Sequence, residues 1–350
     1  MIIVDTSSKV DKVTDHRASA ERQPDCIVYD RTYGEKDGLN TSLADFFIEF
    51  KTNYDHDPFA HGGDTLLCDT IKGSEMRGQI TSYATLLLGA QYRTHLFCIL
   101  IVKDYARLIH WDRAGAVVME PIYYDNEPHL FDFIIRYDHA GREVHGHDST
   151  VRLASPCEME KAQMYIKKDN AKPLLLIMIQ SNCYVVPHPH SQPRIPVGRW
   201  TRASIAYNVK REKCVLLKDS WRLSLDGIQV EGETYAKLRK HKVPNIPHCF
   251  LAGDVGDDLY HKSKTDALVG KYLHLISLSQ FIPFRHYHLV LDNIGTKLQE
   301  FSSSHEVVKA VYAAFLGKLA KHWQSLMHPD LYHSPPGCLQ GWYSASRPEP

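Results

Sequence analysis

An α+β protein in two folded units is what this sequence predicts, and three observations carry the prediction. At 350 residues the chain is about twice the usual domain length. Short apolar runs with the period of strands alternate with stretches of helical period along most of it. A proline- and histidine-rich segment, Pro187-His188-Pro189-His190-Ser191-Gln192-Pro193, interrupts the alternation, and its prolines forbid helix and disfavour a central strand. Apolar residues make up 43% and charged residues 23%, close to the soluble average, which excludes wholesale disorder, collagen and coiled coil.

Taken in order, residues 1–22 are polar and aperiodic and read as a disordered N-terminus, with structure beginning near Pro24. Residues 23–150 read as an α/β accessory domain. It holds a short apolar run at Cys26–Tyr29, an alternating run at Phe46–Lys51, a helix from Gly78 to about Tyr92, and a buried strand at Leu96–Val102. A hairpin then pairs Tyr105–Trp111 with Ala116–Tyr123 around Asp112-Arg113-Ala114-Gly115, whose Asp and Gly suit a tight turn. Residues 151–195 read as a connecting segment that ends in the Pro/His-rich linker. Residues 196–320 form the second unit. It opens with a hairpin of Ile205–Val209 and Cys214–Lys218, and continues with a helix at Glu231–Lys240 and strands near His248–Ala252 and His286–Leu291. A last helix starts at Ser303, which makes a capping box with Glu306 and is followed by Val308, Val311, Phe315 and Leu319 on one face. Residues 321–350 lose all periodicity and read as a disordered tail or a misread exon.

Charge excludes some functions. Forty-one Lys and Arg balance forty-one Asp and Glu, which argues against a strongly basic nucleic-acid footprint. The eight cysteines form no Cys-x-x-Cys pair and sit mostly in apolar runs, as buried reduced thiols do. No apolar run approaches the roughly 20 residues of a membrane helix, and the N-terminus has no secretory pattern, so the expected location is inside the cell, cytoplasmic or nuclear. His188 and His190 lack the flanking ligands of a zinc motif, and His145 and His147 near Asp148 read as solvated loop histidines.

Chemistry enters in the second unit. Val215-Leu216-Leu217-Lys218 is a strand that closes on a lysine, and a helix with an inward acid follows, the arrangement that fixes nucleotide phosphates in kinases. Glu231 shares a helix face with Tyr235 and Leu238, whereas Glu233 groups with Lys237 and Lys240; Glu231 is the first choice as partner of Lys218, and Glu233 stays open as the second. Gly198 holds the first place of a phosphate-covering glycine loop, but Trp200 and Ala203 stand where further glycines belong. A lone lysine at a strand end is more often a solvated edge charge.

Several blocks together go further. Val215 to Arg222, Glu231 to Tyr235, Val243 to Pro247, Tyr287 to Gly295, and in the first half Arg107 to Val118 and Gly146 to Val151 resemble the fungal-type protein kinase domain, over residues from about 24 to 320. The resemblance implies a kinase small lobe followed by an incomplete large lobe, ATP and magnesium as cofactors, a protein substrate or partner, and phosphorylation of Ser/Thr. It also implies that Lys218 is the phosphate lysine, Glu231 its helix partner, and Leu291, Asp292 and Ile294 part of the adenine-holding hinge. The family's His-Arg-Asp loop is expected after the last helix. There the sequence reads His328-Pro329-Asp330, position 335 is proline rather than asparagine, and no Asp-Phe-Gly occurs. The expectation is a truncated or pseudokinase that at most binds nucleotide or a protein, with His328 and Asp330 as a degenerate loop.

A second constellation lies in the first unit. Pro24-Asp25, then Glu49-Phe50-Lys51 after 23 intervening residues, then Gln79 and Tyr83 on a helix, resemble the pattern of restriction-endonuclease-like nucleases. Glu49 and Lys51 share one strand face, where Asp25 and Glu49 could hold Mg²⁺ and Lys51 orient a water. The competing readings are a surface charge pair on an edge strand, and a nuclease-like topology without activity.

Overall fold

The computed structural model of the chain describes residues 1–7, 23–32, 40–60, 66–166, 173–189, 195–256, 260–265, 267–268, 282–295, 300–327 and 342–345. These residues build two seven-stranded sheets. In the first, β1 (Ile2–Asp5), β2 (Cys26–Tyr29) and β3 (Ala44–Lys51) run antiparallel. Helix α1 (Ile71–Ala90) then returns the chain so that β4 (Leu96–Val102) lies parallel to β3. Strands β5 (Tyr105–Trp111) and β6 (Ala116–Met119) continue the sheet antiparallel, and helix α2 (His129–His139) follows.

The first six residues of β3 are buried because helices cover both of its faces. Phe47 meets Tyr83 of α1 edge-on at 5.5 Å, while its neighbour Phe46 meets Tyr137 of α2 at 4.9 Å. Helix α1 begins seven residues before the predicted Gly78. The Thr70 side chain caps it by accepting from Gly73 N at 3.0 Å, and its first turns are mostly exposed and polar, so no apolar stripe announces them.

The second sheet contains β7 (Val151–Leu153), β8 (Leu175–Ile179), β9 (Asn182–Val186), β10 (Arg202–Asn208), β11 (Lys213–Leu223), β12 (Cys249–Asp254) and β13 (Phe284–Leu291). Its spatial order is β12-β13-β11-β10-β9-β8-β7, with every pairing antiparallel. Helix α3 (Pro156–Gln163) precedes β8, α4 (Glu231–Lys240) lies between β11 and β12, and α5 (Ser304–Met327) follows β13.

Three sequence expectations are corrected. Residues 2–5 are an edge strand paired with β2, so order begins before Pro24; alternation over only four residues was too short a signal. The segment 151–195 is not a bare connection, because it supplies β7, β8 and β9. At the other end α5 runs to Met327, and a final strand, β14 (Trp342–Ala345), pairs parallel with β6 of the first sheet. A partner more than 200 residues away leaves no local trace in a sequence.

The two sheets are joined by buried charge. Arg202, at the start of β10, donates to the carbonyls of Leu88, Gly89 and Gln91 and so satisfies the C-terminus of α1. Arg113, in the β5–β6 turn, donates to Arg93 O and Pro196 O, and its guanidinium lies 3.9 Å over the Trp200 ring. Burial pushes the Arg113 pKa down to about 9. Among the described residues no helix is long and apolar enough to cross a membrane. The seven described cysteines are free thiols, and of these only Cys98 is fully buried, which narrows the expectation of buried cysteines to one.

Candidate functional site

Strand β11 is amphipathic in the way a two-sided sheet demands. Val215 and Leu217 face a core shared with Tyr92 of the first unit, while Leu216 faces α4 beside Tyr235. Lys218 falls on the α4 side. Its Nζ is held by both oxygens of Glu231, at 2.8 and 2.6 Å, and each side chain keeps about a quarter of its surface in solvent. A pair this exposed adds only about 0.2–1 kcal/mol to stability, so its main consequence is to fix the position of an ammonium.

What seats Glu231 is a close approach behind it. Gly232 N donates to Tyr287 Oη at 2.9 Å, and a Cβ on Gly232 would lie 2.4 Å from the Ala252 Cβ. Only glycine lets the first turn of α4 sit this near β12 and β13. Glu233 is turned away, into a cleft of about 1120 Å³ between α4 and β12 whose lining includes Tyr235, Arg239, Lys242 and Tyr287 but neither Lys218 nor Glu231. The choice that the sequence left open between Glu231 and Glu233 is thus decided by geometry.

The three residues expected at the hinge separate in position. Leu291 is buried at the end of β13, paired with Leu216 and Cys249. Asp292 N donates to His248 O at 2.9 Å, and the Asp292 carboxylate meets Lys213 Nζ at 3.0 Å and His248 Nδ1 at 3.3 Å. Burial raises the Asp292 pKa, but Lys213 and His248 outweigh it and hold the carboxyl below its ordinary range. Ile294 is exposed. Gly198 departs from the sequence expectation. At φ +100° it donates its N–H to Arg113 O at 2.8 Å, so its backbone is tied to the first sheet rather than free to cover a phosphate. His328 and Asp330 lie outside the described residues.

Residues 66–331 match the sequence pattern of the fungal protein kinases. The chain belongs to the fungal protein kinase family. Neither the curated proteins nor the solved structures gave a match. The match to fungal protein kinases begins at residue 66 rather than near 24, so Asp25, Glu49 and Lys51 precede it, and it runs past α5. Lys218, Glu231 and the end of β13 all fall within it.

The earlier constellation also assembles. Asp25 precedes β2; its Oδ2 accepts from Phe50 N at 2.8 Å and its own N–H donates to Glu49 Oε2 at 3.3 Å. Glu49 Oε1 accepts from Gln79 Nε2 at 2.9 Å and pairs with Lys51. Gln79 also reaches Tyr83 Oη at 2.7 Å, and Tyr83 donates to Gln23 O at 2.6 Å. Glu49 is 1% exposed, and burial pushes its carboxyl up against the pull of Lys51. A surface charge pair is therefore excluded for Glu49.

Sequence reasoning missed Gly232 and Tyr287, which seat the helix; a glycine in a first helical turn was the available signal. It also misread His145 and His147. Both contact Asp45, His147 Nε2 at 2.9 Å and His145 Nδ1 at 3.7 Å, within a buried network that includes Arg93. Burial pushes the His147 pKa down to about 3.

Proposed function

We propose that this member of the fungal protein kinase family binds ATP on the α4 side of its second sheet, where Lys218 and Glu231 hold the α/β-phosphates, and that it acts on or through a protein partner inside the cell. The observation that carries the reading is the two-oxygen grip of Glu231 on Lys218 Nζ. An ammonium held between strand and helix can meet phosphate without moving, which is the positioning that phosphoryl-transfer enzymes use. The antiparallel order β12-β13-β11-β10-β9, with α4 between β11 and β12, suits a kinase small lobe. ATP bound there would supply the transferable γ-phosphoryl group.

Magnesium fits less well. In kinases its ligands come from the catalytic-loop Asn and the Asp-Phe-Gly Asp, and neither His-Arg-Asp nor Asp-Phe-Gly occurs in the 350 residues. The 350 residues therefore carry the reading as far as nucleotide binding, and no transfer step is derived. Titration with ATP should raise the melting temperature of the wild-type chain and leave Lys218→Ala unchanged. An equal rise in Lys218→Ala would refute the site.

A second reading rests on the convergence of Asp25, Glu49, Lys51, Gln79 and Tyr83. It is Mg²⁺-dependent cleavage of nucleic acid in the first unit, with Asp25 and Glu49 as ligands and Lys51 orienting a water. Against it stands the prior occupation of Glu49 Oε1 by Lys51 and Gln79. Cleavage of a labelled DNA strand at low salt, lost in Glu49→Ala, would favour it, and intact DNA would dismiss it.

A further inference from the structure

The face of the second sheet opposite Lys218 carries a different chemistry. His286 and His288 are i, i+2 on β13 and so share that face, and Asp219 stands directly opposite His288 on β11. All three are buried, at 2%, 1% and 4% exposure. Three atoms converge there: Asp219 Oδ2 lies 3.2 Å from His286 Nε2 and 3.4 Å from His288 Nε2. Both are ion-pair contacts of the carboxylate with an imidazole, but neither is well aligned as a hydrogen bond, so among the described residues all three atoms lack a hydrogen bond of good geometry. A buried polar atom left wholly unsatisfied costs about 1–3 kcal/mol, and these three, paired by charge yet poorly aligned, converge as ligand atoms around a shared point would.

A metal ion fits that point. Zinc binds imidazole nitrogen and carboxylate oxygen at about 2.0–2.2 Å, and tetrahedral ligands at that radius stand about 3.3–3.6 Å apart. The separations found, 3.2 and 3.4 Å, are close to this spacing, and all three ligand atoms lie within 4.8 Å of one another. Two imidazoles and one carboxylate select a late first-row divalent ion over Mg²⁺ or Ca²⁺, which prefer oxygen.

The surroundings are those of ligating histidine. The other nitrogen of His286, Nδ1, faces Asp148 Oδ2 at 3.6 Å and His261 Nδ1 at 3.1 Å, and the ring is stacked on Trp221 at 5.0 Å. Asp148, His261 and His286 make a neighbouring group, but Asp148 Oδ1 already accepts from Thr150 N and Oγ1, which suits it to orienting His286 rather than to ligating.

We propose that Asp219, His286 and His288 form a zinc site that fastens β11 to β13 behind Lys218. Asp219 is the residue next to Lys218, and β13 leads into Asp292, so the ion would hold rigid the two strands that present the nucleotide-side residues. The site stands independently of nucleotide binding.

The test is metal content of the purified full-length chain. After exposure to Zn²⁺ and exhaustive dialysis, about one zinc per chain should remain, and Co²⁺ in its place should give the visible absorption of a tetrahedral site. Asp219→Asn and His288→Gln should each lower retained metal by about tenfold or more, while Glu49→Gln keeps it. Where a variant fails to fold, nitrogen NMR of wild-type histidines decides, because Zn²⁺ should shift the Nε2 signals of His286 and His288. A folded wild-type chain that retains no zinc and gives no Co²⁺ absorption overturns the proposal. So does metal retained by Asp219→Asn combined with His288→Gln, or metal lost only in Glu49→Gln.

Discussion

Replacing Gly232 with alanine tests how the second sheet positions Glu231. The new Cβ would meet the Ala252 Cβ at 2.4 Å and Tyr287 Oη at 2.7 Å. Carbon atoms rest about 3.5–4.0 Å apart, so the first turn of α4 must withdraw by about 1 Å. Overpacking of this kind costs about 1–3 kcal/mol, partly offset by the better helix propensity of alanine, worth at most about 1 kcal/mol. The expected net loss is about 1–2 kcal/mol, read as a drop of several degrees in melting temperature. The same withdrawal would carry Glu231 from 2.6 and 2.8 Å to beyond hydrogen-bond range of Lys218 Nζ, so any ATP-dependent stabilisation should fall with it. Gly78→Ala is the control. Nothing lies within 4 Å of its Cβ position in the exposed face of α1, and it should stabilise the chain by up to about 1 kcal/mol. A Gly232→Ala protein that melts with the wild type and responds equally to ATP would refute the reasoning.

Other perturbations probe the junction and the acid response. Asp112 is 2% exposed and serves four amides: Oδ1 accepts from Ala114 N and Gly115 N, and Oδ2 from Lys264 N and Thr265 N. Asp112→Ala should cost about 2–5 kcal/mol in urea unfolding and Asp112→Asn distinctly less, since the amide keeps one acceptor oxygen. Equal losses would show that the carboxylate does not bridge the turn to residues 264–265. His95 is buried, and burial pushes its pKa down to about 3 from an ordinary 6.5. Its contribution to pH dependence has a definite sign. Below pH 6.5 the unfolded chain binds a proton that the folded chain refuses, so stability falls as pH drops toward 3, by about 1.4 kcal/mol per unit at most. His95→Gln should flatten that slope, and an unchanged slope would assign acid sensitivity to other groups.

Much of the arrangement was legible. The buried run Leu96–Val102, the turn at Asp112 to Gly115 and the helix at Glu231–Lys240 each have a signal within a dozen residues, and each formed where its period placed it. The facing of Glu231 was readable for the same reason, because a helix fixes which residues share a side. Gly198 was not, since its partner Arg113 lies in the other sheet. The five residues of the Asp25 and Glu49 group were named from spacing, but their mutual saturation follows only from bringing both α1 and the start of β2 against β3.

By itself the sequence determined the α+β class, the strand and helix periods, membership blocks of the kinase family and the face on which Glu231 points. Tertiary structure decided the rest. It placed β1 beside β2 and β14 beside β6, drew 151–195 into the second sheet, buried Glu49, and brought Asp219 to His286 and His288. The physical reason is range. Periodicity and capping act over one or two turns of chain, whereas strand pairing and the convergence of buried polar atoms are set by contacts between segments tens to hundreds of residues apart.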